Sequence, residues 1–362
     1  MKKFVILTVF LMQTSCVWVS DALKDFYRSA IVGEKATVIV SRAYIRSSYA
    51  VVAADLLEVR RGDILDILDE VTHEKVKWYR VRAYDDDATE GWIEAQNVIV
   101  GSLLEKSIKL AEEDKEIEAQ AQGQLRAAAK LRLSPELRED NVLLTLEKKG
   151  ETQIVFDIIA WKFVPKQDLV DGDESRKNEE IEEAKREKEV ETIDEKYDIW
   201  YKVRLNRSVS PAPAGWIFGR QVDLLIPQDI MYYQYQGKRF VAWRRIDSSE
   251  TSDSGRTIRP GSWIVLSRSN TVKAESAEQE PDFDQILVFY YDKYSGTHAT
   301  VYRSGEVWGK LPLTMGGQGL NKTFTVRIRN NNGELEEKTF VIFKNVRGHL
   351  QVTPPSDVPK GR

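Results

Sequence analysis

The sequence predicts a mostly-β protein with two small antiparallel barrels and a C-terminal antiparallel β sandwich or barrel. Two observations point to the barrels. The string WYRVR at residues 78–82 returns as WYKVR at 200–204, and each copy leads to Gly-Trp-Ile, at 91–93 and 215–217. The third observation is a series of short alternating segments separated by turn residues after residue 227. A period of two is typical of half-buried strands, and many short strands are typical of barrels and sandwiches.

Two further landmarks precede each aromatic string in the same order. An aliphatic residue followed by arginine occurs within 43–48 and again within 131–135. Two basic residues, a glycine and an acidic residue then follow at 60–63 and 148–151. Four landmarks in one order indicate an internal duplication, and a duplication of this length predicts two domains of the same fold.

The order of the landmarks resembles that of the bacterial SH3 (SH3b) family, in two tandem copies over residues 35–100 and 124–226. Neither copy has the family's full Asn-Val-Arg-Ser-Gly-Pro string, although residues 131–135 come close. In the family that loop commonly lines the ligand groove. The resemblance therefore implies two small SH3-like barrels that bind peptidoglycan peptide or another envelope protein, and the departures affect the expected ligand more than the fold.

The start of the chain predicts export. Two lysines precede an apolar run at 4–12, and the single cysteine of the chain, Cys16, follows shortly after it. A basic start, a short apolar core and small residues are typical of a secretory signal. Residues 1–16 also resemble a lipobox, although Gln13 stands where leucine is expected, and the resemblance implies lipid attachment at Cys16. We expect a periplasmic or outer-membrane lipoprotein of a bacterial cell envelope, held on the membrane by its lipid anchor; an ordinary cleaved signal is the alternative.

The segments around the second copy are expected to be helical or solvated. Residues 102–105 have the Ser-x-x-Glu spacing of a capping box, and an apolar stripe continues from there, so a connector helix is predicted over 102–122. The second copy also carries a charged insertion near 165–196 with almost no apolar stripe. Such a segment predicts a solvated helix or a mobile arm.

The C-terminal β-domain is predicted over residues 227–352, and its family is not recognised. Residues 323–329 and 338–343 flank an Asn-Gly turn, which is the strongest short hairpin signal. The segment 286–291 is apolar on both faces and predicts a central strand, and residues 232–235 and 240–243 predict another hairpin. The glycine-rich stretch 315–319 lacks the residues of a phosphate loop and predicts a turn, and the tail 353–362 is expected to be disordered.

Nothing in the sequence predicts a catalytic, metal or cofactor site. Cys16 lies in the signal segment, and the three histidines, His73, His298 and His349, are scattered. No His-Glu-x-x-His pattern occurs, and His298 has no Gly-x-Ser-x-Gly elbow to complete a triad. Carboxylates such as Asp284 and Glu306 leave a cell-wall-cleaving enzyme open as an alternative. The net charge of −4 gives no electrostatic footprint for nucleic acid.

The residues best placed to bind a ligand lie on the repeated strands. A period of two puts Tyr79 on the core face and Trp78 with Arg80 on the opposite face, and the second copy repeats this pattern. An aromatic side chain beside a cation suits peptide binding. The expected ligand-binding residues are Trp78, Arg80, Trp92, Trp200, Lys202 and Trp216. The predicted function is non-catalytic binding in the envelope; barrels that only pack on protein partners are the alternative, in which the tryptophans close the barrels.

Overall fold

The computed structural model describes residues 32–147, 153–166, 191–234, 237–247, 260–318, 321–346 and 348–361. Residues 1–16, with Cys16, and most of the expected charged insertion lie outside this part of the chain. Within it, the strands form four antiparallel sheets, and the two helices are α1 (Gly101–Glu113) and α2 (Ile193–Lys196). The predicted mostly-β fold is confirmed.

The first repeat forms a seven-stranded antiparallel sheet. Its strands are β1 (Lys35–Val38), β2 (Arg42–Arg46), β3 (Asp55–Arg60), β4 (Ile64–His73), β5 (Val76–Ala83), β6 (Glu90–Glu94) and β7 (Val98–Val100). They lie in the order β3-β2-β6-β5-β4-β1-β7. The aromatic string lies on β5 and Gly-Trp-Ile on β6. We call this sheet repeat 1.

The second repeat forms another seven-stranded antiparallel sheet. Its strands are β8 (Ala121–Leu125), β9 (Ala129–Arg132), β10 (Val142–Leu146), β11 (Val155–Pro165), β12 (Tyr197–Arg204), β13 (Ala214–Phe218) and β14 (Val222–Leu224). They lie in the order β10-β9-β13-β12-β11-β8-β14, which is the order of repeat 1 position by position. We call this sheet repeat 2. The sequence duplication is therefore a duplication of topology.

The two repeats also share an irregularity in strand pairing. In repeat 1 the register between β4 and β5 shifts between Ile67 and Asp69, opposite Val81. In repeat 2 the register between β11 and β12 shifts between Ile158 and Ala160, at the equivalent point. A β-bulge leaves one residue unpaired and bends its strand, so its presence at one place in both copies indicates that the two sheets curve in the same manner.

The connector helix is shorter than predicted. Helix α1 ends at Glu113 rather than near residue 122, and Ala121–Leu125 forms β8 instead. Those residues pair with β11 on one side and with β14 on the other, and this sheet pairing outweighs their helical pattern. The helix also begins at Gly101, so Ser102 lies inside the helix and not at its cap. The Ser102 N–H donates to Oε2 of Glu34 at 3.1 Å.

The chain divides into two compact units. Within the described ranges, one contains the residues up to 109 together with 143–145 and 206–213, and the other contains those of 110–142, 146–205 and from 214 onward. The first unit holds repeat 1. The second unit holds most of repeat 2 together with the C-terminal region, which the sequence analysis treats as a separate domain.

The C-terminal region of the second unit contains two four-stranded antiparallel sheets. The first consists of β15 (Lys238–Arg245), β16 (Trp263–Ser269), β17 (Gln285–Asp292) and β18 (Thr297–Arg303), in that order. The second consists of β19 (Gly309–Gln318), β20 (Asn321–Arg329), β21 (Leu335–Lys344) and β22 (Leu350–Thr353), in that order. The rings of Tyr302 and Phe340 join the two sheets, with their centroids 5.7 Å apart.

Several expectations for this region are met and others are wrong. The central strand is β17, which pairs on both edges, and the hairpin around Asn-Gly is β20–β21. The stretch expected as a turn at 315–319 begins inside β19, and its last residue lies outside the described ranges. The expected strand at 232–235 is wrong, because Met231–Tyr233 forms a 3₁₀ turn.

The C-terminal tail, expected to be disordered, is ordered from residue 353 to 361. The carbonyl of Pro359 accepts a hydrogen bond from the N–H of Gly305 at 2.7 Å. Val358 is buried, and Asp357 forms an ion pair with Lys338. Proline-rich composition predicts an extended segment, but this segment turns at 355–358, where the N–H of Val358 donates to the carbonyl of Pro355 at 3.2 Å. The sequence pattern does not reveal the burial of Val358.

Candidate functional site

The site begins with an arginine that closes the second strand of each repeat. In repeat 1, Nη2 of Arg46 donates to the carbonyls of Val51 at 3.0 Å and of Ala53 at 3.2 Å. These carbonyls belong to the loop between β2 and β3. The arginine therefore folds this loop back over the outer face of the sheet. We call residues 47–54 the β2–β3 loop.

Repeat 2 uses its equivalent arginine in the same way. Nη1 of Arg132 donates to the carbonyl of Arg138 and, at 2.9 Å, to Oδ1 of Asn141. Both belong to the segment that follows β9. Arg46 pairs across the strands with Trp92, and Arg132 pairs with Trp216. In both repeats, the arginine of the aliphatic-Arg landmark thus holds a loop in place beside the tryptophan of Gly-Trp-Ile.

The glycine of Gly-Trp-Ile is required by the close approach of two strands. A Cβ on Gly91 would lie 2.4 Å from the carbonyl oxygen of Arg46. A Cβ on Gly215 would lie 2.7 Å from Cγ of Leu131 and 2.9 Å from the carbonyl oxygen of Arg132. Only glycine fits at either position without movement of the neighbouring strand. The glycine of this landmark is therefore explained by the packing of the strands, and the tryptophan next to it lies at the surface.

The first tryptophan of each aromatic string is buried. Trp78 is 6% exposed and Trp200 is 1% exposed. Trp78 lies on the face that alternation predicts, but the guanidinium of Arg46 covers its ring, 6.0 Å from the ring centroid. Trp200 packs on Phe218 with ring centroids 5.2 Å apart. Neither indole is available to a ligand in this structure, and the expectation of an exposed binding surface at these two residues is corrected.

The second tryptophan of repeat 1 is half-exposed and lies in an aromatic group. The ring of Tyr49 meets Trp92 edge to face, with centroids 5.1 Å apart, and His73 lies 5.0 Å from Tyr49. Arg80 is directly opposite Trp92 on the neighbouring strand and is exposed. We call Tyr49, His73, Arg80 and Trp92 the aromatic site. It contains the predicted combination of an aromatic ring and a cation, built on Trp92 rather than Trp78.

Tyr49 and His73 were not found by the sequence analysis. Tyr49 lies three residues beyond Arg46, in the β2–β3 loop, and only the folded loop brings it onto Trp92. His73 is the last residue of β4, and this strand ends beside Tyr49. The one signal available in the sequence was the position of Tyr49 just after the aliphatic-Arg landmark.

The β2–β3 loop adds exposed apolar side chains next to this site. Val51 is 87% exposed and Val52 is 94% exposed, and Leu56 at the start of β3 is 47% exposed. Neighbouring exposed apolar residues are typical of surfaces that contact another molecule. The carbonyl of Val51 is held by Arg46, so the loop presents its side chains from a fixed backbone.

The cations of this face are fixed by Glu90. Its carboxylate accepts hydrogen bonds from Arg82 at 2.6 Å and from Arg80 at 2.9 Å. The hydrogen bond from Arg82 is the main reason that the pKa of Glu90 is lowered, and the same bond raises the pKa of Arg82. Glu90 and Arg82 therefore keep their charges at neutral pH, and the hydrogen bond to Glu90 holds the guanidinium of Arg80 on the face that carries Trp92.

The equivalent cation of repeat 2 is not exposed. Lys202 stands opposite Trp216 on the neighbouring strand, as Arg80 stands opposite Trp92. Its side chain is only 11% exposed and forms an ion pair with Asp114, with Glu113 at 3.8 Å. Trp216 itself is half-exposed. Glu113 at the end of α1 and Asp114 just after it therefore occupy in repeat 2 the position that is open in repeat 1.

His298 has a structural environment. Its Nε2 lies 2.8 Å from the carbonyl of Gly261, and its ring contacts Tyr233 and Tyr291. The hydroxyl of Ser295 donates to Asp292 rather than to the histidine. Ser295 and His298 are thus not hydrogen-bonded to each other, as the serine and histidine of a triad would be.

The two carboxylates considered for glycoside cleavage share one lysine. Lys273 forms ion pairs with Asp284, at 2.8 Å, and with Glu306. Burial raises the pKa of Asp284, but hydrogen bonds from Lys273 and Ser269 outweigh it, so the pKa of Asp284 is lowered. A general acid needs a raised pKa. Asp284 therefore lacks the property that this role requires.

Within the described ranges, no group of three or more His, Cys, Asp or Glu side chains is arranged to hold a metal ion. No helix in that part of the chain is both long enough and apolar enough to cross a bilayer. No known family model matches the chain, and no curated protein sequence matches it.

Proposed function

We propose that the chain is a non-catalytic binding protein of the bacterial cell envelope, exported and anchored through lipid on Cys16. Its ligand is peptidoglycan peptide or a peptide segment of another envelope protein. The signal-like residues 1–16 and the resemblance to SH3b domains support the location and the ligand class. The aromatic site of repeat 1 supports binding as the activity.

One observation carries the proposal: Tyr49 and Trp92 form an edge-to-face pair that is half-exposed, beside the exposed cation Arg80. Tryptophan and tyrosine offer a large rigid contact area together with a polar group, and arginine adds a charge for a carboxylate or a carbonyl. Peptides carry both kinds of group. The arrangement needs no reacting side chain, which is consistent with recognition alone.

A second candidate function is assembly, and the structure favours it for repeat 2. There the cation opposite the tryptophan pairs with Asp114, and Trp200 is buried. The carbonyl of Gln120, just ahead of β8, accepts a hydrogen bond from the N–H of Trp243 on β15 at 3.1 Å. Repeat 2 is thus built into the unit that holds the C-terminal sheets. We therefore propose a division of roles in which repeat 1 binds the ligand and repeat 2 packs with the C-terminal sheets.

A pull-down on purified cell-wall sacculi, and a parallel one on detergent extracts of envelope proteins, tests the proposal. We expect Trp92→Ala to lower retention of the full chain on one of these two materials by about tenfold or more, as for tryptophans at the centre of an interface. Tyr49→Ala should lower it less. The matched control is Trp216→Ala, the same position in repeat 2, which should be retained like the wild type.

Circular dichroism and thermal denaturation of each variant show whether it is folded. Equal retention of the wild type, Trp92→Ala and Tyr49→Ala would remove the aromatic site from ligand binding. Equal losses for Trp92→Ala and Trp216→Ala would contradict the division between the repeats. Hydrolysis products released from the sacculi by the wild type would show an enzyme.

A further inference from the structure

The C-terminal region contains a cavity of about 300 Å³ that the proposed function does not use. It lies at one end of the sheet β15–β18, where Lys238 of β15 pairs with Ser269 of β16 and Gln285 begins β17. Every described side chain that lines it is polar or charged. Glu306, which also lines it, is 74% exposed, so the cavity opens to solvent. A cavity of this size is at the small end of ligand sites, and polar walls suit a small polar molecule.

One wall of the cavity is a loop that a buried ion pair holds in place. Nη2 of Arg268 lies 2.5 Å from Oε2 of Glu280, and the two side chains are 1% and 0% exposed. The other oxygen of Glu280 accepts hydrogen bonds from the N–H groups of Lys273 and Ala274, at 2.8 Å each. The loop backbone at Lys273 is therefore fixed before any ligand arrives, which lowers the entropic cost of binding.

The cavity contains a carboxylate oxygen that lacks a donor. Asp284 lines the cavity and is 3% exposed. Its Oδ2 accepts hydrogen bonds from the ammonium of Lys273 at 2.8 Å and from the N–H of Ser269 at 2.9 Å. Its Oδ1 is buried and has no hydrogen-bond partner among the described residues. A buried polar atom without a partner costs free energy, so a ligand that donates to Oδ1 would be stabilised there.

The hydroxyl of Thr271 adds a second acceptor. The hydroxyl of Ser269 donates to Oδ2 of Asp284 and lies 3.1 Å from the hydroxyl of Thr271. A hydroxyl has one proton, so Ser269 has none left for Thr271, and Thr271 is the donor in this pair. The oxygen of Thr271 can then accept from a ligand. The acceptor side of the cavity therefore consists of Oδ1 of Asp284 and Oγ1 of Thr271.

The donor side of the cavity consists of Lys238 and Gln285. The ammonium of Lys238 donates to Oε1 of Gln285 at 3.1 Å, and no carboxylate of the described residues forms an ion pair with it. Because the ammonium can only donate, it faces the amide oxygen of Gln285, and the amide nitrogen is left to donate elsewhere. Asp284 and Gln285 are consecutive, with Cα atoms about 3.8 Å apart, so one small molecule can reach both sides.

We propose that this cavity binds a free amino acid with a small or polar side chain. The ligand's ammonium donates to Asp284 and Thr271, and its carboxylate accepts from Lys238 and Gln285. The two lysines and two carboxylates that line the cavity balance in charge, which suits a ligand that is itself a zwitterion. An anion alone would leave Oδ1 of Asp284 without a donor, and a cation alone would leave Lys238 without a carboxylate. A large apolar side chain would lie against polar groups, which is unfavourable.

The test uses the full chain and isothermal titration calorimetry with serine and two analogues that each lack one charged group. Ethanolamine is serine without the carboxylate, and 3-hydroxypropionate is serine without the ammonium. We expect serine to bind about tenfold more tightly than either analogue, because each analogue loses charge-assisted hydrogen bonds. Leucine should also bind more weakly than serine. No binding at millimolar serine, or an analogue or leucine that binds as tightly as serine, would overturn the proposal.

Lys238→Met tests the donor side, because it removes the charge and nearly keeps the length of the side chain. We expect it to lower the affinity for serine about tenfold and to leave the affinity for ethanolamine unchanged, since ethanolamine has no carboxylate to lose. The control Lys344→Met, at an exposed lysine on β21, should bind serine like the wild type. Equal affinities of Lys238→Met and the wild type for serine would overturn the proposal.

Thr271→Val tests the acceptor side without altering the buried Asp284. It nearly keeps the shape of the side chain and removes the hydroxyl. The affinities for serine and for ethanolamine should both fall severalfold, while that for 3-hydroxypropionate should not change. Circular dichroism shows whether the variant is folded. A folded Thr271→Val that binds serine like the wild type would contradict the placement of the ammonium.

This site and the aromatic site fail independently, because the aromatic site belongs to the first unit and the cavity to the second. Trp92→Ala should bind serine like the wild type, and Lys238→Met should be retained on sacculi like the wild type. Loss of serine binding in Trp92→Ala would place serine on repeat 1 and would overturn the assignment of the cavity. Wild-type retention of Lys238→Met together with its loss of serine binding would support both sites.

Discussion

At the scale of single residues, the repeated Gly-Trp-Ile contains two residues that pack the sheet and one that is exposed. Gly91 and Ile93 belong to packing, since one allows a neighbouring strand to approach and the other is fully buried. Trp92, between them, points to the outer face and remains half-exposed. The recurrence of Gly-Trp-Ile is therefore explained mainly by the packing of the strands. Of its three residues, only the tryptophan is exposed enough to contact a ligand.

Replacing Gly91 with alanine is expected to destabilise the first unit. The new Cβ would lie 2.4 Å from the carbonyl oxygen of Arg46, so β2 and β6 must move apart. We expect a loss of about 1–3 kcal/mol in the free energy of unfolding, the range for overpacked positions. Urea denaturation measures it. The control Val52→Ala, at an exposed loop tip, should leave the midpoint unchanged; equal midpoints for Gly91→Ala and the wild type would show that the strands are not in close contact.

Asp282 gives a pH dependence of known sign. Burial raises the pKa of its carboxyl in the folded protein, although Lys310 and the N–H of Leu311 oppose this shift. The folded state then binds more protons than the unfolded state between the unfolded pKa and the raised folded pKa. The contribution of Asp282 to stability is therefore present at low pH and is lost as the pH rises through that window.

Asp282→Asn removes this dependence. The stability of the wild type minus that of Asp282→Asn should be most favourable at pH values below the ordinary pKa of an aspartate and should fall toward pH 7, as measured by urea denaturation at several pH values. Asp85 is the control of opposite sign, because hydrogen bonds from Thr89 lower its pKa. For Asp85→Asn the wild-type advantage should shrink as the pH falls. The same slope for both variants would contradict the assignment.

At the scale of elements, the sequence predicted the strands well and their surroundings poorly. Alternation placed Tyr79 on the core face and Arg80 on the outer face of β5, and Tyr79 is buried while Arg80 is exposed. Alternation could not reveal that Trp78, also on the outer face, is covered. The group that covers it is Arg46, which is held by the β2–β3 loop, and neither is close to Trp78 in the sequence. Helix α1 was predicted too long for a related reason: the pairing of β8 with β11 and β14 is non-local.

The candidate site shows the same limit. Trp92 and Arg80 could be predicted because both lie on strands whose period is visible in the sequence. Tyr49 could not, since its position depends on the path of the β2–β3 loop.

The hold of Arg46 on the β2–β3 loop can be tested by replacing it with lysine. A lysine keeps the charge but has no planar group with several fixed donors, so the two bonds to Val51 and Ala53 should not both form. We expect faster cleavage of residues 47–54 by a protease of broad specificity, and a loss of about 1–2 kcal/mol in the free energy of unfolding. Arg42→Lys is the control, since Arg42 is exposed and contacts Glu58 at 3.4 Å. Identical cleavage of both variants would mean that the loop keeps its conformation without the hydrogen bonds of Arg46.

At the scale of the whole molecule, two copies of one sheet have different surroundings. Repeat 2 shares a unit with the C-terminal sheets through Gln120, which is fully buried. Its Oε1 accepts a hydrogen bond from the N–H of Leu313 at 2.6 Å, and its Nε2 donates to the carbonyl of the same residue. One side chain thereby satisfies both backbone groups of a residue in β19.

Gln120→Ala should therefore destabilise the C-terminal sheets together with repeat 2. Removing the amide leaves the N–H and C=O of Leu313 buried without a partner, which costs about 1–3 kcal/mol for each such group. Hydrogen exchange read at strands of both parts of the second unit should show equal acceleration. Gln122→Ala, which alters an exposed glutamine on β8, is the control. Acceleration confined to β19 would show that the two parts open separately.

The proposed anchor concerns the whole molecule, since it decides where both binding surfaces act. If Cys16 is acylated, mass spectrometry of the mature protein should find a lipid-modified cysteine as the first residue, and the protein should sediment with membranes. Acyl chains supply the attachment that a short apolar segment cannot. Cys16→Ser should shift the protein to the soluble envelope fraction or leave an uncleaved precursor. A mature wild type that begins at another residue, with Cys16→Ser fractionating in the same way, would show an ordinary secretory signal and would remove the lipid anchor from the proposed function.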